Sequence, residues 1–124
     1  MRYYVLDAAQ NTLPATLHEW ADFLQNGELR IVRQEEQGEV RLSTVFLGID
    51  HRWTNYGEFD HLPPIVFETC VFGGEHDGWT WRCCTFDQAV ALHNAVRRWL
   101  DKRWYKPWTW GRVCPTVDEH GDLE

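Results

Sequence analysis

Serine and lysine are nearly missing from this chain of 124 residues: Ser43 is the only serine, and Lys102 and Lys106 are the only lysines. Ser43 precedes an apolar run and lies in no G-x-S-x-G turn, which removes a serine-hydrolase triad. No glycine pattern suited to cradling phosphate occurs, so P-loop and dinucleotide chemistry are excluded as well. No apolar run approaches the ~20 residues of a membrane helix, and Met1–Asp7 lack the apolar stretch of a signal peptide. These lacks predict a cytoplasmic protein without membrane association, in which Cys70, Cys83, Cys84 and Cys114 stay reduced. The cysteines form no C-x-x-C pair, and Cys83 and Cys84, adjacent on a strand, point to opposite faces. They read as small buried hydrophobes rather than zinc ligands. His18-Glu19-x-x-Asp22 misses the zinc-protease pattern at its second ligand and lies off the apolar stripe of its helix. No metal and no cofactor is expected.

Aromatic residues are abundant, at 15% with eight tryptophans, so core and interfaces lean on a few large side chains. Net charge is −7 and unevenly spread. From Arg97 to Arg112 six basic residues face one acid, Asp101, giving +5 and leaving −12 on the remainder. An acidic body thus carries a basic, tryptophan-rich end, and the total charge argues against general nucleic-acid affinity.

The length predicts one domain. Tyr3–Leu6 reads as a short strand. Thr16-x-x-Glu19 is a capping box, followed by Leu17, Trp20, Ala21 and Leu24 on one helical stripe that stops at Gly27. Leu29–Arg33 and Val40–Ile49 read as strands joined through the polar stretch 34–39. A further strand follows Pro63-Pro64, then a glycine-rich hairpin loop from Gly73 to Gly78, then a strand at Trp79–Cys83. Thr85-x-x-Gln88 caps a second helix whose face holds Phe86, Ala89, Val90, His93, Val96 and Leu100. The predicted fold is α+β: a largely antiparallel sheet of about five strands with two helices packed on one face, in the order β-α-β-β-β-β-α. Residues 1–106 form this domain, and 107–124 form an aromatic, irregular segment whose final Leu123-Glu124 reads as a cloning scar. The central strands look apolar on both sides, with Val45, Leu47 and Ile49 against Phe46, and Val66, Cys70 and Phe72 against Ile65, Phe67 and Val71. Two helices cover one face, so the other calls for the C-terminal segment or a second copy in a homodimer.

The runs Ser43-Thr44-Val45-Phe46-Leu47-Gly48-Ile49-Asp50-His51, Pro63-Pro64-Ile65-Val66-Phe67-Glu68-Thr69 and Val71-Phe72-Gly73-Gly74 give the pattern S-T-V-F-L-G-[IL]-D-H, P-P-x-[VL]-F-E-T, V-F-G-G. In these blocks the chain resembles a family of small uncharacterised proteins encoded by bacteriophages and prophages, over roughly Tyr3 to His93. The resemblance implies a phage accessory protein and transfers no activity to any residue.

Three readings of function follow. Residues 51–62 are long for a hairpin loop and carry Trp53, Tyr56, Phe59 and His61, a composition suited to an interface. With Trp108 and Trp110 as a second group, they predict binding to a host protein, such as an antiviral-defence component in an anti-CRISPR-like role. Second, His51, Glu68 and His61 or His93 make a candidate metal or acid/base site, since a carboxylate inside an apolar run is costly to bury unpaired. The structural alternative has Glu68 paired with Arg82 across the hairpin or with a histidine. Third, Trp99, Trp104, Tyr105, Trp108 and Trp110 interleave with basic residues as in single-stranded nucleic-acid binders, unless Trp99 and Trp104 pack under the helix.

Overall fold

Alternating side chains between residues 31 and 83 build a four-stranded antiparallel sheet, and helical stripes before and after it supply the cover. The computed structural model describes residues 2–52, 62–101 and 114–124. In chain order the elements are β1 (Tyr3–Leu6), β2 (Thr12–Ala15), α1 (Leu17–Gln25), α2 (Gly27–Arg30), β3 (Ile31–Gln37), β4 (Val40–Phe46), β5 (Phe67–Phe72), β6 (Thr80–Cys83) and α3 (Phe86–Leu100). Strands β3-β4-β5-β6 are neighbours in that order, while β1 and β2 form a separate antiparallel hairpin. The α+β class with mostly antiparallel pairing is as expected, whereas the single five-stranded sheet is not.

Both capping boxes form. Thr16 accepts from the Glu19 N–H at 3.2 Å while Glu19 accepts from the Thr16 N–H at 2.9 Å. Thr85 and Gln88 do the same at 3.1 and 3.0 Å. Each box satisfies two otherwise orphaned donors at a helix start. The strand missed by the sequence reading, β2, contains Pro14 and pairs only with β1, an edge position that a proline tolerates. Its turn is closed by Asp7, whose Oδ1 accepts from the N–H groups of Ala9 and Asn11 at 2.9 Å.

One face of the sheet holds the core. Leu42 and Phe46 of β4, Phe67 and Val71 of β5, and Trp81 and Cys83 of β6 meet Ala89, Leu92 and Val96 of α3. Phe23 of α1 reaches the same face and meets Phe46 edge-on at 5.5 Å between ring centres, so both main helices lie on one side.

The other face is not the apolar surface that the sequence predicts. Gln34 donates to Ser43 at 3.1 Å, Arg82 pairs with Glu68 at 3.1 Å, and the Arg41 guanidinium lies 4.7 Å over the Phe72 ring. Within β4 this face receives Arg41, Ser43 and Val45. The misreading has a physical cause. Strand β4 ends at Phe46, so Leu47 and Ile49 do not continue its alternation, and one apolar and one polar face is ordinary for an antiparallel sheet. Val45, Cys70 and Phe72 do lie on this face, with Phe72 42% exposed, so it is mixed rather than apolar throughout.

Gly48 sets that ending. Its φ is +73°, and a Cβ there would lie 2.5 Å from Trp20 Nε1 and 2.8 Å from the Tyr4 carbonyl oxygen. Trp20 donates from Nε1 to the Leu47 carbonyl at 3.1 Å, and the Tyr4 N–H donates to the Gly48 carbonyl at 2.7 Å. The β1–β2 hairpin and α1 are thereby fastened to the end of β4. Gly48→Ala is expected to destabilise the fold by at least about 1–3 kcal/mol, the usual cost of forced backbone strain. Urea unfolding measures it, and an unchanged midpoint would show that this junction adapts.

Candidate functional site

The helix face that buries Ala89, Leu92 and Val96 also carries His93, whose side chain is 0% exposed. The pairing of β4 with β5 sets Thr44 opposite Thr69 directly beneath it. The two hydroxyls lie 2.7 Å apart, and Thr44 Oγ1 is 2.7 Å from His93 Nδ1. On the far side of the ring, Nε2 is 2.9 Å from Glu35 Oε1 of β3, and Glu35 Oε2 is 2.9 Å from Arg97 Nε. Arg33 stands 3.7 Å from Glu35 and donates to Asn94 of α3 at 3.0 Å. Burial holds the His93 pKa below the usual imidazole value, against the opposing pull of Glu35; Arg33 and Arg97 add to the lowering. The ring is therefore neutral at neutral pH. A carboxylate can only accept, so Nε2 carries the hydrogen and Nδ1 accepts from Thr44, which in turn accepts from Thr69. Hydroxyl, imidazole and carboxylate thus stand in the order of an activated nucleophile. Thr44 is fully buried, however, so the line is closed to substrate and ties α3 to three strands.

The set His51, Glu68 and His93 does not converge. Glu68 lies on the polar face of the sheet, across from Arg82 in register, while His93 lies on the core face. The Glu68–Arg82 pairing is the structural alternative that the sequence left open. Burial also lowers the His51 pKa, helped by the positive charge of Arg82 and opposed by Glu68 and Asp50. His61 lies outside the described residues. All four thiols are pushed up, first by burial, Cys83 to about 12, so none is a ready nucleophile. Among the described residues no three His, Cys, Asp or Glu side chains gather to hold a metal.

Two arrangements escaped the sequence reading. Around Arg52, which precedes residues 53–61, the chain is drawn together. The Asp50 carboxylate accepts from the N–H groups of Arg52 and Ile65, each at 3.0 Å. The His51 N–H donates to the Ile65 carbonyl at 2.9 Å, and Arg52 Nε to the Pro63 carbonyl at 2.9 Å. Arg52 also donates to the Glu119 carbonyl and approaches Cys84 Sγ at 3.9 Å. Residues 114–124 form no helix or strand, yet they are tied to the body of the domain. Val117 bridges Leu123, Gln88 donates to the His120 carbonyl and Asp122 at 2.9 Å, and Trp81 donates to the Pro115 carbonyl at 2.7 Å.

At the opposite end of β6, Trp79 stacks on Trp99 at 5.3 Å, and His76 touches both rings at 4.9 and 4.4 Å. Trp81 joins them from the core side, 6.1 Å from Trp99. Trp79 caps this cluster and stays 45% exposed. Trp99, the first aromatic of the basic stretch, is therefore engaged with the core. Trp53, Tyr56, Phe59, His61, Trp108 and Trp110 all lie outside the described residues.

No match to this chain is found among protein-family models, curated proteins or solved structures. The Glu68–Arg82 pair is partly exposed, with Arg82 nearly half open, and such pairs contribute little. Glu68→Gln is expected to change unfolding free energy by less than about 1 kcal/mol. A larger loss in urea titration would mean that Glu68 holds more than Arg82.

Proposed function

We propose that the chain is a small phage-type accessory protein that acts by binding a host protein, with a component of an antiviral defence system, in an anti-CRISPR-like role, as the target class and the host cytoplasm as its place of action. The observation that supports this reading most is the cinched base of residues 53–61. Asp50, His51 and Arg52 on one side are bonded to Pro63 and Ile65 on the other. Fixed ends lower the ordering cost of a binding segment, and the segment between them holds Trp53, Tyr56 and Phe59, residue types that dominate interface energetics. Two members of the alternative acid/base set are engaged within the fold: His93 with Thr44 and Glu35, and Glu68 with Arg82.

Charge indicates the kind of partner. With −12 outside Arg97–Arg112, the body suits a basic, nucleic-acid-binding surface, which it would occlude by competing with the polyanion. Trp79, 45% exposed, offers an aromatic contact at the far end of β6.

The test is the triple variant Trp53→Ala/Tyr56→Ala/Phe59→Ala, compared with the parent for thermal unfolding and for capture of a host protein from nuclease-treated lysate. The expected result is an unfolding temperature within a few degrees of the parent, with capture lost. In the parent, the captured protein should be displaced by added nucleic acid and by salt. Equal loss of stability and capture would make these side chains core residues, and undiminished capture would place the interface elsewhere.

A further inference from the structure

The hydrogen-bonded line through His93 has one polarity. Thr69 donates to Thr44, Thr44 to Nδ1, and Nε2–H to Glu35, so every hydrogen in it is used once. We infer that His93 is an acid-sensitive latch between α3 and the edge strand β3, and that a second proton on its ring opens the seam between them.

With Nδ1 also protonated, Thr44 Oγ1 must accept from the ring. Thr44 and Thr69 then hold two hydroxyl hydrogens, and only one of them can be donated within the pair. A hydroxyl hydrogen is left without its partner at a position with no access to water, since Thr44 and Thr69 are both fully buried. The charges facing the ring add to this. Strand β3 presents Glu35 and Arg33, α3 presents Arg97, and β4 and β5 present only the two threonine hydroxyls. Glu35 already holds Arg97 at 2.9 Å with Arg33 at 3.7 Å, so a charged imidazole becomes a third cation beside one carboxylate.

A buried cation that cannot be neutralised draws in water or gives up its proton. The open side of the cluster is where Glu35, Arg33 and Arg97 reach solvent, with side chains 33%, 51% and 50% exposed. This is the seam of β3 with α3, spanned by Glu35–Arg97 and Arg33–Asn94. The hairpin β5–β6 does not border it.

The direction of the pH effect follows. Above the unfolded-state imidazole value of about 6.5 both closed and open forms are neutral and the latch holds fully. As pH falls below that value, the open form takes up the proton first, because the closed form binds it more weakly. The closed form therefore loses ground steadily until the pH has passed the lowered value.

The test follows the His93 ring resonances by NMR from pH 7.5 to 5.0, together with amide hydrogen-exchange protection corrected for intrinsic rates. His93 is expected to titrate below its ordinary range, with protection in α3 and β3 falling at least tenfold more than in β5 and β6. His93→Gln, which keeps a donor towards Glu35 and does not titrate, should remove the pH dependence. Glu35→Gln, at a part-exposed position, should move the His93 titration further down. The latch is overturned by titration at or above the ordinary imidazole range, by a rise on Glu35→Gln, or by protection falling evenly in every element.

Discussion

Between α3 and the sheet, packing that is otherwise apolar is crossed by one polar line, Thr69 to Thr44 to His93 to Glu35. Apolar contacts around it, such as Leu92 and Val96 against Phe67 and Val71, are non-directional and would tolerate a small shift of the helix. The hydrogen bonds would not, because a buried polar atom stripped of its partner costs about 1–3 kcal/mol. The position of α3 is therefore set by the polar line and its strength by the surrounding hydrophobes. The same line also fixes the relation of β3, β4 and β5, since each contributes a member.

Much of this architecture is legible from residue order. The capping boxes at Thr16 and Thr85 and the strands through Thr44 and Thr69 all follow from local rules that the structure obeys. The failures are equally local. Pro14 hid an edge strand, and Asn26, which caps the short helix at Gly27–Arg30, moved the start of β3 to Ile31. The run 34–39 reads as a connection because it is polar throughout and holds Gly38. Gln34 to Gln37 are strand, and Glu35 points inward to a histidine 58 positions away. No local rule relates those two residues, nor Arg52 to Glu119. For the proposed interface, the aromatic content of residues 53–61 was visible in the sequence, whereas the clamp at their base depends on contacts between distant segments.

The runs 43–51 and 63–74 are dense in positions that the fold itself requires. Thr44 and Thr69 form the buried pair, Phe46 and Phe67 the core, Gly48 the left-handed turn, and Asp50 the clamp. Gly73 has a similar reason: a Cβ there would lie 2.1 Å from the Glu39 carbonyl oxygen. These runs close the scaffold, and the loops between them are left free of that duty.

Arg52 gives the segment 114–124 a mechanical connection with the foot of residues 53–61. One guanidinium holds the Pro63 carbonyl at the foot of residues 53–61 and the Glu119 carbonyl of that segment, while Gln88 at the start of α3 grips the same turn through His120 and Asp122. A protease nick or a bulky fusion within that turn would thus be felt at Arg52 and at the Pro63 carbonyl it holds. A label placed at that turn would load this junction, and one placed on the β1–β2 hairpin would leave it alone.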